Sequence, residues 1–148
     1  MRIISGTHKG RKFSPPKNLP VRPTTDFAKE GLFNILRNQI DIDGAKVLDL
    51  CAGTGNMALE FASRGASSVL SIDGHFGCVK YIQKVSQEIG LEQIHAIKAE
   101  LFAFVKKLSG KYDIIFADPP YQLPGVEELP NLLFAKDCLQ KGGILILE

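Results

Sequence analysis

Asp118-Pro119-Pro120-Tyr121 follows directly on the apolar run Tyr112-Asp113-Ile114-Ile115-Phe116-Ala117. These four residues have the composition needed to hold a planar exocyclic amine for methyl transfer. Such an amine is a poor nucleophile because its lone pair is delocalised into the ring or carbonyl beside it. A carboxylate and a backbone carbonyl can accept from both amine hydrogens, fixing the nitrogen and letting the lone pair develop. Two prolines stiffen the loop, and Pro119 offers no N–H to compete for the carboxylate at its own position. Tyr121 can lie flat against a base, an interaction worth roughly 1–3 kcal/mol where bases stack on aromatics. The competing reading is a Pro-Pro turn that closes a strand, with Asp118 ending it.

A second constellation lies earlier in the chain. Lys46-Val47-Leu48-Asp49-Leu50 reads as a short buried strand, Cys51-Ala52-Gly53-Thr54-Gly55 as a small-residue loop, and Met57, Leu59, Phe61 and Ala62 as the start of a helix. Strand, glycine loop and helix N-terminus make a nucleotide-type cradle in which glycines allow close backbone approach. Asp73 stands 18 residues beyond Gly55, at the end of the apolar run Ser68-Val69-Leu70-Ser71-Ile72. An acid about 20 residues past the loop is where a ribose-binding carboxylate belongs in such folds. The loop lacks the third glycine of a dinucleotide fingerprint and has an aspartate before it. That suits a cationic, phosphate-free ligand such as S-adenosylmethionine better than a pyrophosphate. In the structural alternatives, Asp49 braces the loop and Asp73 caps the next helix.

The elements that must position these residues alternate regularly. Thr24-Thr25-Asp26 offers helix caps after Pro23, and Phe27, Gly31, Leu32, Ile35 and Leu36 are expected to share one face of the helix that follows. Strands are predicted near 46–50, 68–72, 94–98, 112–117 and 143–148, and helices near 56–64, 75–89, 100–108 and 127–140. Alternation with nearly continuous apolar strands implies an α/β fold, a mostly parallel sheet with helices on both faces. The carboxyl ends of the strands then carry Asp49, Asp73, Glu100 and Asp118 to one rim, where ligands bind in open α/β sheets.

The chain of 148 residues is sized for a single core. It has no apolar run of about 18 residues and no signal-peptide pattern at its start. Cys51, Cys78 and Cys138 show no C-x-x-C spacing and the three histidines are scattered, so neither a disulfide framework nor a metal site is indicated. A reduced, cytoplasmic, metal-free protein is the simplest reading. The net charge of +2 hides an asymmetry: residues 1–22 carry six basic side chains and no acid, leaving 12 basic against 16 acidic in the remainder. A basic arm on a mildly acidic body suits contact with phosphates, or else serves only as a solubilising terminus. Gly6, Gly10 and Pro15-Pro16 predict a small hairpin and linker over residues 1–23, ahead of the domain at 24–148.

Asp49-Leu50-Cys51-Ala52-Gly53-Thr54-Gly55, Asp73 and Asp118-Pro119-Pro120-Tyr121 resemble motifs I, II and IV of Rossmann-like, S-adenosylmethionine-dependent amino-methyltransferases. More narrowly, Arg2-Ile3-Ile4-Ser5-Gly6-Thr7-His8-Lys9-Gly10-Arg11-Lys12 and Arg22-Pro23-Thr24-Thr25-Asp26 with Glu30-Gly31-Leu32-Phe33-Asn34-Ile35-Leu36 resemble the bacterial 16S rRNA (guanine-N2)-methyltransferase family. The resemblance spans essentially the whole chain. It implies that Asp49 meets the methionyl ammonium and that the backbone around Cys51, Ala52, Gly53 and Gly55 lies close to the same end. It further implies that Asp73, with Gly74 beside it, binds the ribose hydroxyls, and that Glu100 and the Leu101 N–H read the adenine. Asp118 and the Pro119 carbonyl hold guanine N2, Pro120 stiffens the loop and Tyr121 stacks on the base. On the same reading Arg2, Lys9, Arg11, Lys12, Arg22 and Thr24 are expected to contact 16S rRNA, free or in a small-subunit assembly particle, and a monomer is expected.

There are departures from the family pattern. Phe27 and Lys29 replace family arginines, Asp73 replaces a longer glutamate, and Glu100 stands where an asparagine or aspartate is usual. Relatives continue into two further strands, so the chain reads as one lacking its last strands, with Ile144-Leu145-Ile146-Leu147-Glu148 as an apolar edge. The alternatives are an amino-methyltransferase for adenine N6 in DNA or for protein glutamine, a non-catalytic RNA-binding assembly module, and an NAD-linked enzyme. The intact cofactor and amine motifs count against the module, and the missing glycine against NAD.

Overall fold

Residues 1–148 are described by a computed structural model. From Lys46 onward each apolar run forms a strand and each amphipathic run a helix. The elements are α1 (Asp26–Leu36), β1 (Lys46–Leu50), α2 (Asn56–Ser63), β2 (Ser68–Asp73), α3 (Phe76–Glu88), β3 (Ile94–Lys98), α4 (Leu101–Lys106), β4 (Tyr112–Ala117), a 3-10 turn at Val126–Glu128, α5 (Leu129–Ala135) and β5 (Leu139–Leu147). The strands form one sheet in the order β3-β2-β1-β4-β5, and every pairing is parallel. This is the Rossmann-like methyltransferase arrangement, with β1 at the centre.

Side-chain alternation sorts the core into two layers. Val47, Val69, Ile114 and Phe116 pack with α1, α2 and α3, while Leu48, Leu50, Ile72, Ile115 and Ala117 pack with α4 and α5. Period-2 alternation therefore sends Asp49 to the α1–α3 side, opposite Phe116 in the β1–β4 register. That phase decides which face of the sheet the site opens on.

Three elements differ from the sequence expectation. In α1 the buried residues are Lys29, Phe33 and Leu36, whereas Phe27 and Ile35 are 89% and 57% exposed. Thr25 caps the helix, accepting from the Ala28 N–H at 3.2 Å, and the resulting phase lays Phe33 edge-on to Phe61 of α2 with centroids 4.8 Å apart. The predicted helix over 127–140 stops at Ala135 because Asp137 adopts φ +49, a left-handed conformation that ends helices. β5 accordingly begins at Leu139, four residues early, pairing with Tyr112 before a bulge shifts the register to Ile114 with Ile144.

The arm is a hairpin held by one antiparallel bridge, Arg2 with Lys12, and by Ile3 N–H to the Arg11 carbonyl (2.9 Å) and Gly10 N–H to the Ile3 carbonyl (2.8 Å). It docks on the C-terminal end of α2: the Thr7 N–H donates to the Ser63 carbonyl at 2.8 Å, and Ile3 is buried. Gly6 has φ +91, and a Cβ there would fall 1.9 Å from the Ser63 carbonyl oxygen, so only glycine permits this approach.

Candidate functional site

The C-terminal end of β1 delivers Asp49 into a buried position, 1% exposed, where neither carboxylate oxygen has a hydrogen-bond partner. Ser71, beside it on β2, is likewise buried with an unpartnered hydroxyl. Buried polar groups are almost always paired, so an orphaned carboxylate marks a place where a donor belongs. Burial pushes the Asp49 carboxyl well above its usual range and the negative charges of Asp73 and Asp118 push the same way, while the Ala58 backbone N–H at the start of α2 pulls weakly against them without closing a hydrogen bond. A cation that brings its own N–H donors would relieve both conditions.

The loop after β1 turns sharply. Cys51 adopts φ +59, uncommon outside glycine, and Gly55 adopts φ +81 at the start of α2, where a Cβ would meet Ile82 Cγ1 at 2.7 Å. Burial and the surrounding carboxylates Asp73, Asp49, Asp118 and Glu100 push the Cys51 thiol up to about 12. Cys51 therefore remains a neutral thiol that shapes the loop and does not act as a nucleophile.

A cleft of about 310 Å³ opens against this loop. Asp49, Cys51–Thr54, Asn56 and Met57 form its floor, Pro20–Thr24 its roof, and Phe116 with Asp118–Tyr121 its far wall. Among the residues singled out by sequence, Arg22, Thr24, Asp49, Cys51, Ala52, Gly53 and the whole of Asp118-Pro119-Pro120-Tyr121 are thus brought together. The sequence pattern missed Pro20, Val21, Asn56 and Phe116. Val21 lies directly over the glycine loop, 3.7 Å from where a Gly53 Cβ would stand. In this tetrapeptide the turn bond falls to Pro120, whose carbonyl accepts from the Leu123 N–H at 2.9 Å. Partial burial raises the Asp118 carboxyl above its ordinary range, while Tyr121 is 97% exposed and presents its ring at the rim.

Asp73, Gly74, Glu100 and Leu101 lie outside this cleft, on a shelf formed by the ends of β2 and β3. Asp73 joins the two regions: one carboxylate oxygen accepts from the Gly53 N–H and the other from the His75 N–H, both at 2.8 Å. Each oxygen keeps a further lone pair. Glu100 caps α4, accepting from Phe102 N–H at 3.1 Å and Ala103 N–H at 2.8 Å, and the Ala103 and Phe102 bonds hold its carboxyl below the usual value. The shelf thus combines the capping role and an outward carboxylate edge.

Of the arm's basic residues, Arg22 lines the cleft, whereas Arg2, Lys9, Arg11, Lys12 and Lys17 do not. Lys9, Arg11 and Lys12 are exposed, and the Arg2 guanidinium reaches Asp26 of α1 at 3.5 Å. Lys29 is fully buried against Glu60 at 3.2 Å and has no surface to offer a phosphate. No group of three or more His, Cys, Asp or Glu side chains forms a metal-binding cluster, and no helix is long and apolar enough to cross a membrane.

The profile of the family described as Conserved hypothetical protein 95 matches residues 1–148. The Ribosomal RNA small subunit methyltransferase D of Buchnera aphidicola subsp. Acyrthosiphon pisum is 35% identical over 148 residues, covering 99% of this chain and 76% of that protein. The protein of the same name from Escherichia coli K12 is 31% identical, covering 100% of this chain and 74% of its own length. Among solved structures, the Escherichia coli protein yhhF superposes with a TM-score of 0.84 at 29% identity, over 95% of this chain and 75% of that one.

Proposed function

The chain belongs to the ribosomal RNA small subunit methyltransferase D family, and from that premise we propose that it transfers a methyl group from S-adenosylmethionine to the exocyclic N2 amine of a guanine in 16S rRNA. The observation that carries this reading is the placement of an unpartnered, buried Asp49 carboxylate and the Asp118–Tyr121 loop on one cleft.

The residues fit the cofactor. Asp49 would accept from its ammonium, satisfying oxygens that otherwise have no partner, and the open lone pairs of Asp73 would accept from the two ribose hydroxyls. Glu100 and the Leu101 N–H, at the start of α4, would hold the adenine. Carboxylates on three sides favour a ligand that is cationic at both sulfonium and ammonium. S-adenosylmethionine bound there supplies an electrophilic methyl group.

The chain's own work is positional. Asp118 and the Pro119 carbonyl accept from the two N2 hydrogens, aligning the nitrogen lone pair toward the cleft floor. Tyr121 stacks on the guanine, which must leave its own stack to reach the pocket. The N–C bond would form as the methyl–sulfur bond breaks, leaving a neutral thioether; the amine then becomes cationic and one of its protons passes to the Asp118 carboxylate or to water. Arg22 and Thr24 in the roof meet the backbone of the same nucleotide, and Arg2, Lys9, Arg11 and Lys12 hold flanking phosphates.

Calorimetric titration with S-adenosylmethionine, followed by mapping of methylation on 16S rRNA from a strain lacking the enzyme, tests the proposal. The expected result is metal-independent binding and one new N2-methylguanine. A methyl group on an adenine or on a protein glutamine overturns the substrate assignment.

A further inference from the structure

Lys29 and Glu60 are both 0% exposed, with ammonium and carboxylate 3.2 Å apart. Glu60 reaches the arm backbone: its two oxygens accept from Ile4 N–H at 2.9 Å and Ser5 N–H at 3.1 Å, while Arg64 Nε donates to it at 2.8 Å. Lys29 donates to the Arg2 carbonyl and, at 2.8 Å, to Asn56 Oδ1. Asn56 in turn donates from Nδ2 to the Thr24 carbonyl at 2.8 Å. The amide orientation is forced, since an ammonium only donates and a carbonyl only accepts. Asn56 opens α2 immediately after Gly55 and lines the cleft, so an unbroken chain of contacts links arm, roof and glycine loop.

A buried ion pair is a poor means of stabilising an α1–α2 interface, because desolvation offsets most of the attraction. Phe33 and Phe61 already supply the apolar packing there. What directional polar contacts add is register. We propose that Asn56, oriented by Lys29, is a positioning residue for the RNA side of the reaction. It fixes the Thr24 carbonyl, and with it the Arg22-Pro23 roof, at a set height over Asp118 and Tyr121, while Glu60 places the arm in the same frame. The inference rests on the rRNA methyl-transfer reading for its consequence and on geometry alone for its mechanism.

The test uses the full chain with Asn56→Ala and, as a second variant, Asn56→Asp, which keeps an acceptor for Lys29 but turns an oxygen on the Thr24 carbonyl. Backbone 15N order parameters of Val21, Arg22, Thr24 and Thr25 are expected to fall from about 0.85 to below about 0.6, the loss of one net hydrogen bond being worth about three- to tenfold in the population of the held loop, with β1 and α2 unchanged. KM for 16S rRNA is expected to rise by a similar factor, while kcat and S-adenosylhomocysteine affinity move by less than about twofold. Unchanged order parameters at these four residues in both variants overturn the proposal. So does a loss spread equally over α2, β1 and cofactor affinity, which is the signature of a merely structural residue. A wild-type protein that methylates no rRNA overturns the functional reading instead, and the order-parameter comparison still decides the positioning role.

Discussion

At Asp49 a carboxylate is buried without a partner, and at Asp118 a more exposed one, partly desolvated, faces the same cleft. The two make opposite demands on pH. Because the folded-state pKa of Asp49 is raised, the native state holds a proton that the unfolded chain has already released. Its contribution to stability is complete below the ordinary carboxylate pKa and is lost as pH rises through the raised value. Asp49→Asn removes that loss, so the ligand-free variant should melt at a higher temperature than the wild type at neutral pH and at nearly the same temperature in acid. Cofactor affinity should fall in the same variant by about 1.5–3 kcal/mol, the worth of hydrogen bonds to a charged group. A melting profile parallel to the wild type across pH would remove Asp49 from this role. Asp118→Ala acts on turnover instead. The rate should drop by at least ~10²-fold through the loss of alignment, with cofactor affinity nearly unchanged. In the wild type, activity should fade as pH falls through the raised Asp118 pKa, above the range of an ordinary carboxylate. Normal methylation by Asp118→Ala would refute the amine clamp.

Among the elements, the arm and α2 behave as one body because Gly6 lets their backbones touch. Gly6→Ala drives a Cβ into the Ser63 carbonyl, whereas a Cβ at Gly10, with φ +86, would have nothing within 4 Å. Both substitutions carry the strain of a left-handed alanine, so the difference between them isolates the contact with α2. Gly6→Ala should cost about 1–3 kcal/mol more than Gly10→Ala in urea denaturation, the usual penalty for overpacking. RNA affinity should fall with it, since Arg2 and Lys12 lose their placement, and cofactor affinity should hold. Equal stability of the two variants would mean that the arm docks loosely. The α1 helix belongs to the same body: its phase is chosen by Lys29 and Phe33 meeting Glu60 and Phe61, which leaves Phe27 in solvent.

Across the whole molecule, charge is divided between a basic arm with no acidic residue and a site rim crowded with carboxylates. A rim of carboxylates suits a cation, and a basic arm would supply the attraction for a polyanion that the rim would otherwise repel. RNA affinity should therefore decline steeply with salt. Replacing Arg11 and Lys12 by alanine should reduce the log–log slope by roughly 0.7–0.9 for each phosphate no longer neutralised, leaving cofactor binding intact. Arg22 lies in the cleft roof, so its removal should lower turnover as well as affinity. A slope identical to the wild type in the double variant would make the arm a solubilising terminus.

The parts of this protein that depend on short-range chemistry are legible in its residues. The alternation of apolar strands with amphipathic helices implies the parallel sheet, and the glycine loop after β1 and the Asp-Pro-Pro-Tyr loop after β4 follow from turn and strand patterns within a few positions. Even Asp49 at the end of a buried strand is a local statement. What the tertiary structure decided are matters of phase and pairing between distant segments. Which face of α1 is buried depends on a carboxylate on α2, and the roof over Gly53 depends on where Val21 comes to rest. Asp73 and Glu100 are expected from sequence to face a ligand, and the fold also engages them with backbone N–H groups of Gly53, His75, Phe102 and Ala103. Lys29 has the look of a surface charge in the sequence, and only the fold sets Glu60 beside it. Local pattern encodes which elements form, whereas burial of a charge requires its partner to arrive from elsewhere in the chain, and only the folded packing brings the two together.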